Sequence, residues 1–167
     1  LYKKYEDILP KEKMQVIYNG IDVDEFYNPT KEIFRGDKTI FVCAGSVNYS
    51  KGQDSLVHAC GKLYKEKGYD NFELWLVGVC DERYTGIITN VARKYGIEDK
   101  VKILGPQKNV ASYYAQADIV FMCSKFEAFG RVTVEGMLSG ALLIGADKGG
   151  TLEIIKNMET GLLYKQG

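Results

Sequence analysis

The sequence has few of the residues that metal, disulfide or nucleic-acid chemistry requires. It has one histidine and four cysteines with no CxxC pair, so a histidine-based triad or a zinc site is hard to build. Cys43, Cys80 and Cys123 lie within or beside apolar runs, where buried thiols are common, and we expect reduced thiols. Lysine plus arginine and aspartate plus glutamate each total 22, and this balance favours neither nucleic acid nor an anionic membrane as a partner.

Long apolar runs are also missing. No stretch approaches the roughly 20 residues that span a bilayer, and no signal peptide opens the chain. We therefore expect a cytoplasmic protein, with membrane contact only through a part that this chain lacks. The chain begins at Leu1 and stops at Gly167, and both ends resemble cuts through a longer protein. Its 167 residues are enough for one domain with a real core.

Apolar runs alternate with amphipathic stretches along the chain. Apolar runs predict strands at residues 39–44, 72–78, 101–104, 118–122 and 141–144, with a short first strand at 14–18 and a last edge strand at 162–164. Helical spacing predicts helices at about 52–67, 87–95, 110–117, 131–139 and 151–157, and Gly96 suits a helix end. In the first of these helices, one face carries a stripe of residues at spacings of three and four: Leu56, Cys60, Leu63 and Lys67. The second helix is expected to bury an apolar face that includes Ile87. Residues 21–37 have no clear period and are predicted to be a connecting loop.

Strands that alternate with helices at this spacing predict a doubly wound, Rossmann-like α/β domain with a parallel sheet covered on both faces. We assign residues 1–37 to a linker segment that carries the first strand and residues 38–167 to the domain. Ligands in such sheets lie beyond the carboxyl ends of the strands. Candidate chemistry is therefore expected in the loops at residues 44–52, 78–83, 105–109, 123–131 and 145–151.

The loop after the first buried strand runs from Gly45 and Ser46 to Lys51 and Gly52. Small residues let a ligand approach the backbone, and a lysine at the start of a helix suits a phosphate. Taken alone, a solvated lysine beside a helix-starting glycine is the simpler interpretation. The loop matches neither the GxGxxG nor the Walker pattern.

The residues from Ser124 to Glu135 form the strongest constellation. Glu127 follows a predicted strand, Gly130 lets the chain turn, and the next helix exposes backbone N–H groups that can bind a diphosphate. Glu135 falls about one turn into that helix. Two carboxylates on either side of an anion site could hold hydroxyls at opposite ends of one ligand, a sugar and a ribose. A solvated Glu127 and a surface Glu135 are the alternative.

A third loop places Gly149 and Gly150 before a predicted short helix. The two glycines suit a close approach to an anion or to a neighbouring loop. A plain turn with Thr151 near the helix start explains them nearly as well.

Together these loops resemble the C-terminal domain of the family 4 (group 1) glycosyltransferases, which have the two-domain GT-B fold. Each matching segment is weak alone, but their order, their spacing and their agreement with the predicted strand ends are specific. The resemblance covers most of the chain. It is carried, in order, by residues 16–22 with Phe26, residues 45–52, 76–78, 101–105 and 117–118, Ser124 with residues 127–130 and Glu135, Gly140, Gly149 and Gly150 with Glu153, and residues 161–163.

In this family the domain binds a nucleoside-diphosphate sugar in the cleft between two Rossmann-like halves. The resemblance implies that Lys51 neutralises the diphosphate and that Glu127 holds hydroxyls of the donor sugar, and these two are the catalytic candidates. It also implies that Glu135 accepts hydrogen bonds from the ribose and that the loop at residues 105–107 flanks the base. The backbone at residues 129–132 would receive the phosphates. The full donor-binding set is Gly45, Ser46, Lys51, Gly105, Pro106, Glu127, Ala128, Phe129, Gly130, Arg131, Val132 and Glu135.

The resemblance further implies a hexosyltransferase-type enzyme that retains the anomeric configuration and needs no metal or other cofactor. The donor is expected to carry UDP, with GDP or ADP as alternatives, and a glycan or lipid acceptor would bind the missing N-terminal half. The isolated half should bind nucleotide yet transfer no sugar. Many members carry an arginine where Ser46 stands, so Lys51, helped by Arg131, must supply the charge here.

Two other functions fit the same architecture. The UDP-N-acetylglucosamine 2-epimerases that do not use NAD share the fold, but they need additional acid–base residues that this half does not offer. A non-catalytic nucleotide-binding α/β module of the receiver type needs clustered aspartates after its first strands. The first buried strand here ends instead in Cys43, Ala44 and Gly45.

Overall fold

A computed structural model describes Tyr5 and residues 7–166 of the chain. Within these residues six strands form one sheet: β1 (Thr39–Ala44), β2 (Phe72–Val77), β3 (Val101–Gly105), β4 (Ile119–Met122), β5 (Leu142–Ala146) and β6 (Leu162–Tyr164). The sheet order is β3-β2-β1-β4-β5-β6, and each neighbouring pair is parallel. The predicted doubly wound parallel sheet is confirmed, with β6 at its edge.

In the described part of the chain, one α-helix precedes β1 and five connect successive strands. They are α1 (Val23–Phe26), α2 (Gln53–Lys67), α3 (Glu82–Tyr95), α4 (Ala111–Gln116), α5 (Arg131–Leu138) and α6 (Thr151–Ile154), with 3-10 turns at Lys11–Lys13 and Tyr49–Lys51. Helix α3 ends as predicted at Gly96, whose φ of 70° is the left-handed conformation that glycine adopts without steric cost. Of the helices in the described part of the chain, none has the length and apolar character needed to cross a membrane.

The sheet separates two apolar cores, and β1 contributes to both. Phe41 and Cys43 pack with buried residues of α2 and α3, whereas Val42 packs on the opposite face with Tyr114 and Leu143. Successive side chains of a strand point to opposite faces. A strand covered on both faces therefore has no polar side, which is why residues 39–44 form a continuous apolar run.

The predicted strand at residues 14–18 is wrong. These residues form no strand in the structure, and the segment pairs with no strand of the sheet. Ile17 is 82% exposed and Tyr18 is 64% exposed. The ring of Tyr18 instead lies 5.7 Å from that of Phe129, so the apolar residues of this segment cover a loop rather than extend the sheet.

The predicted loop at residues 21–37 contains α1 and is fastened to the domain. Phe26 is buried against the core that contains Tyr114. The carboxylate of Asp118 accepts hydrogen bonds from the backbone N–H groups of Phe34 and Ile40, and Lys31 donates to the Tyr114 carbonyl at 2.7 Å. The segment is thereby held beside α4, at one wall of the cavity described below.

Two helices differ from their predicted bounds. Helix α3 begins at Glu82, before the predicted start, because the side chain of Asp81 accepts from the Tyr84 N–H and caps it. Helix α6 stops at Ile154 and not at Asn157, whose side chain accepts a hydrogen bond from the Leu163 N–H.

The burial predicted for two helix residues is also wrong. Ile87 of α3 is 48% exposed, and Lys67, at the end of the predicted stripe, is also exposed. The rest of that stripe is buried or half-buried, because Leu56, Cys60 and Leu63 face the sheet.

Candidate functional site

The candidate site lies where the strand order reverses. From β1 the chain crosses to β2 on one side, and the later strand β4 pairs with β1 on the other side. The loops that follow β1 and β4 therefore part at the carboxyl edge of the sheet and leave a crevice between them, which is where ligands of such sheets bind. The candidate loops predicted from the sequence lie at this edge.

A cavity of about 520 Å³ opens at this crevice. Six of the predicted donor-binding residues line it together: Gly45, Ser46, Pro106, Arg131, Val132 and Glu135. It is completed by Gln107 of the predicted base-flanking loop, by four other residues of the predicted candidate loops (Ala44, Gly78, Val79 and Lys108) and by five residues outside those loops (Glu25, Phe26, Val77, Val110 and Tyr114). Gly105 ends β3 beside this loop, with a φ of 67° that turns the chain toward the cavity wall.

Glu135 occupies the interior of this cavity and is not a surface residue. Only 7% of it is exposed. The Tyr114 hydroxyl donates to Oε2 of Glu135 at 3.1 Å, and Arg131 Nη2 lies 3.3 Å from Oε1. A buried carboxylate with these two partners is fixed in orientation, and it offers acceptor oxygens to hydroxyls that enter the cavity.

Tyr114 holds this carboxylate from the opposite helix, α4. Burial, with the nearby charge of Glu135 as the next cause, raises the pKa of the Tyr114 phenol well above its ordinary value. The phenol therefore stays protonated and remains a donor to Glu135. Tyr114 is not recognisable as a site residue from the sequence, because a single aromatic residue in a predicted helix is more often part of the core. Tyr114 does pack against Phe26, at 5.9 Å between ring centroids.

The turn before α5 brings backbone N–H groups to the cavity. Gly130 has a φ of 85°, a conformation that favours glycine, and within the described residues no side chain caps the helix that begins at Arg131. The first N–H groups of a helix have no partner within the helix, and its dipole places partial positive charge there. Because Arg131 and Val132 line the cavity, this helix start faces it.

Lys51 and Glu127 come together as a pair beside the cavity. Lys51 Nζ lies 2.8 Å from Glu127 Oε2, and their side chains are 30% and 16% exposed. The pair is positioned by contacts between their loops, in which the Lys125 N–H donates to the Ser50 carbonyl at 2.9 Å. Glu127, Ala128 and Gly149 line an adjoining hollow of about 600 Å³, together with Lys125, Phe126 and Lys148.

The two glycines of the third loop support the second loop. The Gly150 N–H donates to the Glu127 carbonyl at 3.0 Å. A Cβ at Gly149 would lie 2.2 Å from that same carbonyl oxygen, and one at Gly150 would lie 2.5 Å from the Phe129 carbonyl oxygen. The two glycines therefore allow the third loop to approach a neighbouring loop closely, as one of the sequence interpretations predicts.

Ala128 and Phe129 face a different groove. They line a cavity of about 610 Å³ with the segment around Val16, Ile17 and Tyr18 and with Glu153. The structure therefore distributes the predicted residues of the second loop over three adjoining spaces: Arg131 and Glu135 in the first cavity, Glu127 in the hollow, and Phe129 in this groove.

The arrangement has the components of a site for a phosphate-containing ligand. It combines a helix start, the Arg131 guanidinium and a buried carboxylate that can accept from hydroxyls. Among the described residues no group of three or more histidine, cysteine, aspartate or glutamate side chains is placed to hold a metal ion. All four cysteines are free thiols, and burial raises the pKa of Cys60 to about 12.

Comparisons with known proteins identify the family and the fold of this chain. A family model described as "Glycosyl transferases group 1" matches residues 25–167. N-acetyl-alpha-D-glucosaminyl L-malate synthase of Bacillus anthracis is 32% identical over 170 aligned positions, which cover 98% of this chain and 43% of that protein. The chain thus spans less than half the length of this relative.

Solved structures share the fold. The Anabaena protein HepE, in complex with UDP and glucose, superposes with a TM-score of 0.82 at 26% identity, over 93% of this chain and 44% of that one. The C-terminal domain of a group 1 glycosyl transferase family protein from Francisella tularensis superposes with a TM-score of 0.70 at 21% identity. That likeness covers 87% of this chain and 80% of the Francisella domain, and at this identity it shows the fold alone.

Proposed function

Because this chain belongs to the group 1 glycosyl transferases and has the Rossmann-like fold of a GT-B half, we propose that it is the donor-binding part of a glycosyltransferase. Its ligand is a nucleoside-diphosphate sugar bound in the 520 Å³ cavity and the hollow beside it. The observation that carries the proposal is the buried Glu135 carboxylate, held by Tyr114 and Arg131 at the reversal of the strand order.

The nucleoside occupies the cavity between the loop after β3 and α5. Pro106 and Gln107 flank the base, and Glu135 accepts hydrogen bonds from the ribose hydroxyls. UDP is the favoured nucleotide, which is supported by the UDP bound in the HepE structure, with GDP and ADP as alternatives. The cavity volume of about 520 Å³ is within the range of small-molecule sites.

The diphosphate lies against the start of α5 and the loop at Gly45 and Ser46. The backbone from Phe129 to Val132 donates to its oxygens, and Lys51 neutralises part of its charge. In the transfer step the bond between the anomeric carbon and the diphosphate oxygen breaks, and its electron pair leaves with that oxygen. The oxygen of an acceptor hydroxyl forms the new bond to the anomeric carbon, and the proton of that hydroxyl passes to the departing diphosphate. Positive charge and N–H donors that are already in place stabilise the departing diphosphate.

The donor sugar lies in the hollow beside Glu127. A carboxylate there accepts hydrogen bonds from sugar hydroxyls, and its contact with Lys51 links the sugar end of the ligand to the diphosphate end. We assign Glu127 and Lys51 the catalytic roles, with Gly45, Ser46, Gly105, Pro106, Ala128, Phe129, Gly130, Arg131, Val132 and Glu135 as the remaining donor-binding residues.

The complete enzyme contains a further half that binds a glycan or lipid acceptor and closes over this cleft. Residues 1–37 then lead from that half into the donor domain at residues 38–167. Transfer proceeds with retention of the anomeric configuration, in the cytoplasm. This chain alone binds nucleotide but transfers no sugar, because no acceptor site faces the donor.

The test is an NMR titration of this chain with UDP, GDP and ADP. We expect one of them to bind with a Kd between about 1 µM and 1 mM. The largest shifts should fall on the amides of Arg131 and Val132, and those of Gly68 and Gly96 at the opposite edge of the sheet should stay in place. A chain that binds none of the three, or whose shifts avoid the start of α5, contradicts the proposal.

A further inference from the structure

Arg131 pairs with the carboxylate that the ribose would use. In the structure its Nη2 lies 3.3 Å from Oε1 of Glu135, and Tyr114 takes Oε2 at 3.1 Å. Both oxygens of Glu135 therefore have a partner within the protein. A ribose hydroxyl that donates to Oε1 must share that oxygen with Arg131 or displace it.

The charges on the cavity wall make Arg131 the cation nearest the phosphate end. Two cationic side chains, Lys108 and Arg131, line the described cavity, and so do two anionic ones, Glu25 and Glu135. Lys108 follows β3 at the base end and also lines a neighbouring hollow with Glu25. Lys51 Nζ already lies 2.8 Å from Glu127 Oε2, so this carboxylate neutralises part of the lysine charge. Because Lys108 lies at the base end, a diphosphate at the start of α5 gains the full charge of Arg131 only if Arg131 leaves Glu135.

The position of Arg131 allows its side chain to leave Glu135. Arg131 is the first residue of α5, and its side chain is 59% exposed, whereas that of Glu135 is only 10% exposed. Side chains in a helix lean toward its N-terminus, but the guanidinium now reaches one turn in the opposite direction, to Glu135. Movement toward Gly130 and Ser46 brings it to the site assigned to the diphosphate and requires no change in the backbone.

We infer that Arg131 is an exchange residue: it pairs with Glu135 until a diphosphate enters, and then moves to the diphosphate and releases Oε1 to the ribose. This inference rests on the proposed function and extends it. It makes Arg131 a specificity residue for the number of phosphates. A nucleoside without phosphate competes with Arg131 for Glu135, whereas a nucleoside diphosphate draws Arg131 away and gains both contacts.

The experiment compares the nucleoside diphosphate that binds among UDP, GDP and ADP with its own nucleoside, in this chain and in Arg131→Met. We expect the Kd of the diphosphate to rise about tenfold in the variant, since a charge-assisted contact is lost. The Kd of the nucleoside should stay the same or fall about two- to threefold, since its competitor for Glu135 is gone. The preference for the diphosphate then falls about ten- to thirtyfold overall.

Two further variants separate exchange from a general loss of charge or fold. Arg131→Lys keeps the cation and should keep most of the preference for the diphosphate. Arg93→Met removes one arginine at the far end of α3 and should change neither Kd. If Arg131→Met weakens the diphosphate and the nucleoside by the same factor, or weakens neither, Arg131 does not exchange partners and the inference fails. If the unsubstituted chain binds no nucleotide at all, the proposed function fails and this inference fails with it.

Discussion

The side chains of Lys51 and Glu127 lie 2.8 Å apart and join the turn after β1 to the loop after β4. These two loops border the crevice on either side, and they are 76 positions apart in the sequence. The pair is partly shielded from water, with side chains 30% and 16% exposed. A diphosphate at the helix start of α5 therefore lies near a cation and an anion together, and substitution of one should change its binding in the opposite direction from substitution of the other.

The variants Glu127→Gln and Lys51→Met test whether the two substitutions change ligand binding in opposite directions. Glu127→Gln removes a negative charge near the diphosphate, and we expect UDP to bind about threefold more tightly. Lys51→Met removes the positive charge, and we expect UDP to bind about tenfold more weakly. Calorimetric titration measures both, and Lys67→Met, at the other end of α2, removes an equal charge as the control. The same direction of change in both variants would contradict the assignment of the pair to the ligand.

Gly150→Ala tests how the third loop supports the second. A Cβ at Gly150 would lie 2.5 Å from the Phe129 carbonyl oxygen, so we expect the free energy of unfolding to fall by about 1–3 kcal/mol through overpacking. The matched control is Gly86→Ala on the exposed side of α3, where a new Cβ meets nothing within 4 Å. That control should stabilise by about 0.5–1 kcal/mol, because alanine favours a helix. Urea unfolding of both variants gives the comparison, and equal effects would contradict the loop contact.

The acid stability of the chain should depend on Lys38 and Glu73. Lys38 Nζ donates to Glu73 Oε1 at 2.8 Å, and this hydrogen bond, followed by one from Trp75, lowers the pKa of the Glu73 carboxyl below its ordinary 4.5. A carboxyl whose pKa is lower in the folded state stabilises the fold above its unfolded pKa. That stabilisation is lost as the pH falls through the lower folded pKa.

Lys38→Met should therefore make the loss of stability below about pH 4.5 shallower, although the bond from Trp75 keeps part of it. Urea unfolding between pH 3 and pH 6 measures the slope, and Lys62→Met on the exposed side of α2 is the control. Added salt should reduce the difference, since the Lys38 side chain is 54% exposed. If the free energy of unfolding falls equally steeply with pH in Lys38→Met and in the unsubstituted chain, the pairing of Lys38 with Glu73 is contradicted.

The fold could be predicted because its signals are local. The apolar run at residues 39–44 is explained by a strand that serves two cores, and Gly96 ends α3 as its position after an apolar stripe suggests. The segment at residues 14–18 has the same apolar character but lies on a loop. The sequence could not distinguish these two cases, because a strand forms only where a segment pairs with another strand, and a local apolar run does not encode that pairing.

The site was predicted in part for the same reason. Glu127, Gly130 and Glu135 stand out by their position after a strand and at a helix start. Tyr114 and Phe26 enter the site only through the packing of α1 and α4 against α5, which no short pattern encodes. The contact of Arg131 with Glu135, by contrast, has the i,i+4 spacing of helix ion pairs and could have been deduced from the predicted helix.

The most direct test of the central claim, that Glu135 binds the ribose of a nucleotide in the 520 Å³ cavity, compares UDP with 2′,3′-dideoxy-UDP. Both are titrated into the unsubstituted chain and into Glu135→Ala. We predict that Glu135→Ala raises the Kd of UDP about tenfold or more. The Kd of the dideoxy compound should be equal or lower in Glu135→Ala, because it has no ribose hydroxyl for Glu135 to accept from and its diphosphate no longer competes with Glu135 for Arg131. If Glu135→Ala weakens both compounds by the same factor, or leaves UDP binding unchanged, Glu135 does not bind the ribose and the account is wrong.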